Sequence, residues 1–303
     1  MKLCKPLFEI WEQSAGLEGV YKQIERVGRV CYKSEDKITE DSAKGFVDRM
    51  VKSGHGAMLE HGTVYLDMPN SAGDYDLVPF FASNPYSRVV IKPLDDRVHN
   101  YVTTNFRVIV ENFAEEYIPD ILQYLCEPTE FHEKRITVHF VCDRGVSHEF
   151  VRHRVMSFAQ ESTRYCNYSK DKFGNELTFI KPCWLDIPTG QYVYWDGDWC
   201  DINKMKIQLP EGEHKDIDAF LWTLNNAETH YTLLINSGWK PQEARAVLPN
   251  SLKTELVVTG FTSDWNHFFD LRARGTTGAP HPQAKELAEP LMKEFIARKY
   301  INN

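Results

Sequence analysis

Apolar positions recur along this chain with two alternating periods. Val20, Ile24, Val27 and Cys31 fall at helical intervals and predict a helix over residues 17–33. Ala43, Phe46, Val47 and Met50 predict a second helix over 41–52, with Thr39 as its N-cap and Gly54 after its end. Residues 63–68 then read as a strand, and the Pro, Asn, Ser, Gly and Asp-rich stretch 69–84 as a loop. Strands are expected at 87–91, 101–111 and 134–142, with a short helix over 113–125. Residues 143–152 form a helix that leads into an extended segment, 155–165. A long amphipathic helix is expected from 214 to 236, with Phe220, Leu221, Leu224, Tyr231 and Leu234 inward. A short helix at 241–247, a strand at 252–259 and helices at 263–274 and 283–300 complete the pattern. Residues 184–213 are aromatic, acidic and without period, and read as a surface insertion.

No βαβ alternation recurs, so the expected class is α+β: a mostly antiparallel sheet flanked by helices, in a single domain spanning 1–303. A hydrophobic fraction of 42% is enough for a sizeable core. The net charge of -8 argues against a nucleic-acid polymer as partner, so a local cluster of arginines points to a small anion. The 7 cysteines are scattered and contain no CxxC pair, which disfavours a disulfide framework and suits a reducing cytoplasm. No stretch reads as a signal peptide or a membrane span.

The densest chemistry lies in 152–164, Arg-His-Arg-Val-Met-Ser-Phe-Ala-Gln-Glu-Ser-Thr-Arg. Three arginines, a histidine, two serines and an amide in so short a run suit a nucleotide, because guanidinium forks match phosphate and ring carbonyls. The competing reading is a solvated charged face; the apolar neighbours Val151, Val155, Met156 and Phe158, expected to be buried, weigh against it. Arg245 and Arg272 each interrupt an apolar helical stripe, and either a structural ion pair or a ligand contact accounts for them. His55 and His61 flank Glu60 at a spacing that is not a recognised zinc pattern, and no metal is assigned. GxGxxG, GxxxxGK[ST] and GxSxG are absent, so a Rossmann site, a P-loop and a hydrolase elbow have no support.

Arg152-His153-Arg154, seven residues and then Ser162 resembles the RHR-x7-S motif of the flavin-dependent thymidylate synthases. Three further segments resemble that family in its order: His55-x4-Glu60-His61, Ala244-Arg245-Ala-Val-Leu-Pro249 and His267-Phe-Phe-Asp-Leu-Arg272. The resemblance implies a homotetramer with active sites shared between subunits. It implies conversion of dUMP to dTMP, with methylenetetrahydrofolate as one-carbon donor and NADPH reducing a bound FAD. Carried over by position, His55, Arg152, His153, Arg154, Gln160 and His267 contact FAD, His55 from a neighbouring subunit. Glu149, Arg152, Gln160, Ser162, Thr163, Arg164, Arg245 and Arg272 contact dUMP. Arg272 and Ser162 serve catalysis: Arg272 by favouring the N3-ionised uracil, Ser162 by positioning rather than as a nucleophile. Ala57, Ala159 and Phe261 depart from the residues common in the family at those places.

Overall fold

The computed structural model describes residues 1–69, 77–94, 97–170, 173–210 and 215–302. In chain order its elements are β1 (Lys2–Cys4), β2 (Leu7–Trp11), α1 (Gly16–Tyr32), α2 (Ser42–Lys52), α3 (Gly56–Leu59), β3 (Thr63–Pro69), α4 (Leu77–Ser83), β4 (Arg88–Leu94), β5 (Arg97–Asn105), α5 (Phe106–Asn112) and α6 (Ile118–Leu122). There follow β6 (Arg135–Asp143), α7 (Arg144–Phe150), β7 (Ser157–Gln160), β8 (Thr178–Ile180), β9 (Gly190–Gln191), β10 (Val193–Trp195) and β11 (Asp198–Cys200). The last are α8 (Lys215–Asn236), α9 (Pro241–Ala244), β12 (Lys253–Phe261), α10 (Thr262–Phe269) and α11 (Pro282–Ala297).

The class is mixed helix and sheet, but the strands divide among several sheets rather than joining one. A four-stranded antiparallel sheet runs β2-β6-β12-β7 and carries the site. An antiparallel sheet runs β3-β5-β4, and β1 pairs parallel with β8 and antiparallel with β9. A hairpin joins β10 to β11.

Alternation sorts the two faces of the four-stranded sheet. Val138, Phe140, Leu256 and Val258 pack with α7, α10 and α11 through Phe150, Trp265, Phe268 and Phe295. On the opposite face Val257 and Ala159 meet Val27, Val30 and Cys31 of α1. Residues adjacent in a strand therefore serve different helices. That division places the functional side chains.

Several sequence expectations change. Part of 69–84 is helical, as α4, while 70–76 lie outside the described residues. The strand expected to run to residue 111 stops at Asn105, whose side chain accepts from the Val108 N–H at 3.1 Å and starts α5. An N-cap asparagine outweighed the β pattern beyond it. Thr39 does not cap α2; its backbone N–H donates to Ser42 Oγ instead. The helix expected over 113–125 is broken into a 3-10 turn at Glu115–Tyr117 and α6. Only Ser157–Gln160 of the 155–165 segment is strand. The stretch 184–210 is not purely a surface insertion, since Tyr192 and Trp199 bury against Ile217, Leu221 and Leu224 of α8. Residues 211–213 of that stretch lie outside the described residues.

Candidate active site

α7 delivers the central motif. Asp143 caps it, accepting from the Val146 N–H at 2.7 Å, and takes a second bond from Gln283 of α11 at 2.7 Å. Val146 and Phe150 bury one side of the helix, which leaves Ser147 and Glu149 available at the site.

Two groups of expected site residues form around α7. In the first, Arg272 is clamped. Its Nη1 donates to Glu149 Oε2 at 2.7 Å, its Nη2 to the Glu149 carbonyl at 2.9 Å and its Nε to His153 Nε2 at 3.3 Å. A guanidinium has five N–H donors, so three are used and, among the described residues, two remain. His153 must accept at Nε2 and is therefore neutral there. Burial, then the Arg272 and His267 charges, push its pKa down to about 4. The His267 ring lies edge-on to His153, with centroids 5.8 Å apart, and Phe268 packs against His153 at 4.9 Å. Arg272 sits on a π turn, Asp270–Arg274, which the left-handed Gly275 ends. A Cβ there would lie 2.9 Å from the Gly278 carbonyl oxygen, so the turn requires glycine.

The second group follows β7. Gln160 Nε2 donates to Ser147 Oγ at 2.8 Å and Thr254 Oγ1 at 3.2 Å. The Ser162 N–H donates to the Cys31 carbonyl at the end of α1, at 3.0 Å, and Ser162 Oγ accepts from the Arg164 N–H at 3.2 Å. Arg245 Nη1 reaches Thr163 Oγ1 at 3.2 Å, and Arg164 Nε reaches Gln242 at 3.4 Å.

Arg152 and Arg154 are exposed on either side of buried His153, and neither side chain has a hydrogen bond or ion pair among the described residues. Val151 and Val155 beside them are 37% and 60% exposed, against the expectation of burial; Met156 is buried and Phe158 partly so. His55 is not brought to either group. It lines a separate groove of about 710 Å³ with Arg29, Tyr32, Lys33, Phe46 and Arg49. His61 is wholly buried and bonded to Thr259.

Sequence reading missed Ser147 and Thr254, which hold the Gln160 amide, and Glu161, Lys253 and Glu255, which lie behind the loop. The available signal for the charged three was their place in an alternating strand pattern that otherwise reads as core.

A family model described as "Thymidylate synthase complementing protein" matches residues 87–298, so the His55 segment lies outside that match. A flavin-dependent thymidylate synthase of Pyrococcus furiosus is 30% identical over 202 residues, 66% of this chain and 69% of that one. That of Pyrococcus horikoshii is 26% identical over 224 residues, covering 73% and 79%. That of Corynebacterium aurimucosum is 22% identical over 286 residues, covering 93% and 78%. Among solved structures, the UMP/dUMP methylase PolB of Streptomyces cacaoi bound with 5-Br dUMP aligns over 98% of this chain and 93% of that one, with 18% identity and a TM-score of 0.43. With the four ordered motifs and a family match over most of its length, the chain belongs to the thymidylate synthase complementing protein family, the flavin-dependent thymidylate synthases.

Proposed function

We propose that this chain reductively methylates dUMP to dTMP, taking the one-carbon unit from methylenetetrahydrofolate and using FAD reduced by NADPH. The observation that carries the reading is the clamped Arg272 with two N–H donors unused. A fixed guanidinium against the uracil carbonyls stabilises negative charge on the ring and activates the carbon that receives the one-carbon unit. Glu149 and the neutral His153 hold that guanidinium in place, so little reorganisation is needed when charge develops. Gln160, Ser162, Thr163, Arg164 and Arg245 seat the nucleotide, with Ser162 positioning and not attacking. The exposed Arg164 and Arg245 suit its phosphate.

The residues present fit a flavin nucleotide. Arg152 and Arg154 offer two exposed, unpaired guanidiniums to a diphosphate, and the exposed valines beside them offer apolar surface to a ring. Arg152, His153, Arg154, Gln160 and His267 hold FAD, and His55 reaches it from a neighbouring subunit of a homotetramer. The bound flavin supplies hydride-transfer chemistry. The chain works in the cytoplasm as one domain.

The test is Arg272→Ala, compared with the unaltered protein by flavin absorbance and dTMP yield. dTMP formation should fall by about a hundred- to a thousandfold, the scale of losing a preorganised charge-stabilising donor, while FAD remains bound. Near-normal turnover would remove Arg272 from the proposed role.

A further inference from the structure

Glu161 stands between Gln160 and Ser162, yet its carboxylate faces away from the Gln160 amide. Strand pairing continues one residue past β7, where the Glu161 N–H donates to the Glu255 carbonyl at 2.8 Å. Gln160 faces α7 and bonds Ser147, whereas Glu161 points to the α1 face of the sheet. There it is 2% exposed and lies opposite Glu255. Two carboxylates facing each other across a ladder repel, and buried ones do so strongly.

Lys253 resolves the conflict. Two residues before Glu255 on β12, it lies on the same face, and its Nζ sits 2.9 Å from Glu161 Oε2 and 2.5 Å from Glu255 Oε1. Lys33, just past the end of α1, adds a contact to Glu255 Oε1 at 2.6 Å, and His139 Nε2 meets Oε2 at 2.9 Å. Burial alone would raise the Glu255 carboxyl; the His139 bond and the Lys253 and Lys33 charges outweigh it and hold the group far below the ordinary carboxylate range. Tyr168 Oη donates to Glu161 Oε1 at 2.9 Å and completes its coordination. The network ties the end of β7, the start of β12 and the end of α1 to one point. From that point the backbone runs directly into Ser162, whose N–H is bonded to α1.

We propose that Glu161, held by Lys253 and Tyr168, is a positioning residue that fixes the loop carrying Gln160, Ser162 and Arg164 against its nucleotide. This rests on the reading that the loop seats dUMP. The carboxylate touches no ligand. It acts by anchoring the backbone between two binding residues.

Glu161→Gln keeps the shape and removes the charge. It should raise KM for dUMP about tenfold with kcat within about twofold, the signature of lost binding that is common to ground and transition state. Tyr168→Phe removes one bond to Glu161 and leaves the ion pair; it should raise that KM about threefold, a single hydrogen bond's worth. Ser162→Ala is run beside them. A dUMP KM unchanged in both Glu161→Gln and Tyr168→Phe, with only the melting temperature lowered, would overturn the positioning role. If Glu161→Gln fails to fold, an unchanged KM in Tyr168→Phe overturns it alone. A KM untouched by Ser162→Ala would instead overturn the nucleotide reading of the loop, and the positioning role with it.

Discussion

His153 has a structural role that pH can expose. Its Nε2 accepts from Arg272, and burial with the neighbouring Arg272 and His267 charges pushes its pKa down to about 4. An unfolded histidine titrates near 6.5. Between these values the unfolded chain binds a proton that the folded chain refuses. Stability is therefore complete above about pH 6.5 and falls as the pH drops toward 4. His61, pushed to about 3 by burial and the Arg135 charge, acts in the same sense. Urea midpoints measured from pH 7.5 to 4.5 should fall for the unaltered chain, and His153→Gln should flatten the curve by about one proton's worth. An unchanged slope in His153→Gln would mean that His153 takes up its proton at the same pH folded and unfolded, against the burial described. The same reasoning explains why Arg272 was ambiguous in sequence: it makes an ion pair with Glu149, and it still keeps donors for a ligand.

At the scale of elements, α7 is the hinge between the two groups of site residues. Its start is fixed by Asp143, which also receives Gln283 from α11. Asp143→Ala should cost about 1–3 kcal/mol, combining a lost N-cap with a stranded buried amide, and should lower the denaturant midpoint. Asp143→Asn should recover most of it, because Asn caps equally well and Gln283 can turn its amide so that its oxygen accepts from the Asn N–H. Stability equal to that of the unaltered chain in Asp143→Ala would show that the cap contributes nothing. Helices with a wide apolar stripe, such as α1, α8 and α11, were legible from period alone, to within two or three residues at their ends. The 87–112 region was not, since a cap at Asn105 and not a change of composition decides where strand becomes helix. The motif residues of the site were legible because their types are improbable in a core. Ser147 and Thr254 were not, since small hydroxyls on buried faces leave no pattern. Glu161 and Lys253 gave a faint signal, as charges within strand-like runs, but their pairing across 92 positions could be seen only once the sheet was formed.

At the level of the whole molecule, the two site groups both reach α7, through Ser147 and Glu149, while His55 lines a groove with residues of neither. In the proposed homotetramer a neighbour's His55 would reach Arg152 and Arg154, and the exposed Val151 and Val155 would be covered. Light scattering of the purified protein should give the mass of four chains; a monomer that retains full activity would rule out shared sites. The proposed reaction is tested by dTMP formation itself. Purified protein is supplied with FAD, NADPH, methylenetetrahydrofolate and dUMP under anaerobic conditions, and dTMP is quantified in the quenched mixture. dTMP should form only when all four are present. A protein that binds dUMP, takes up no FAD and yields no dTMP under any combination would contradict it.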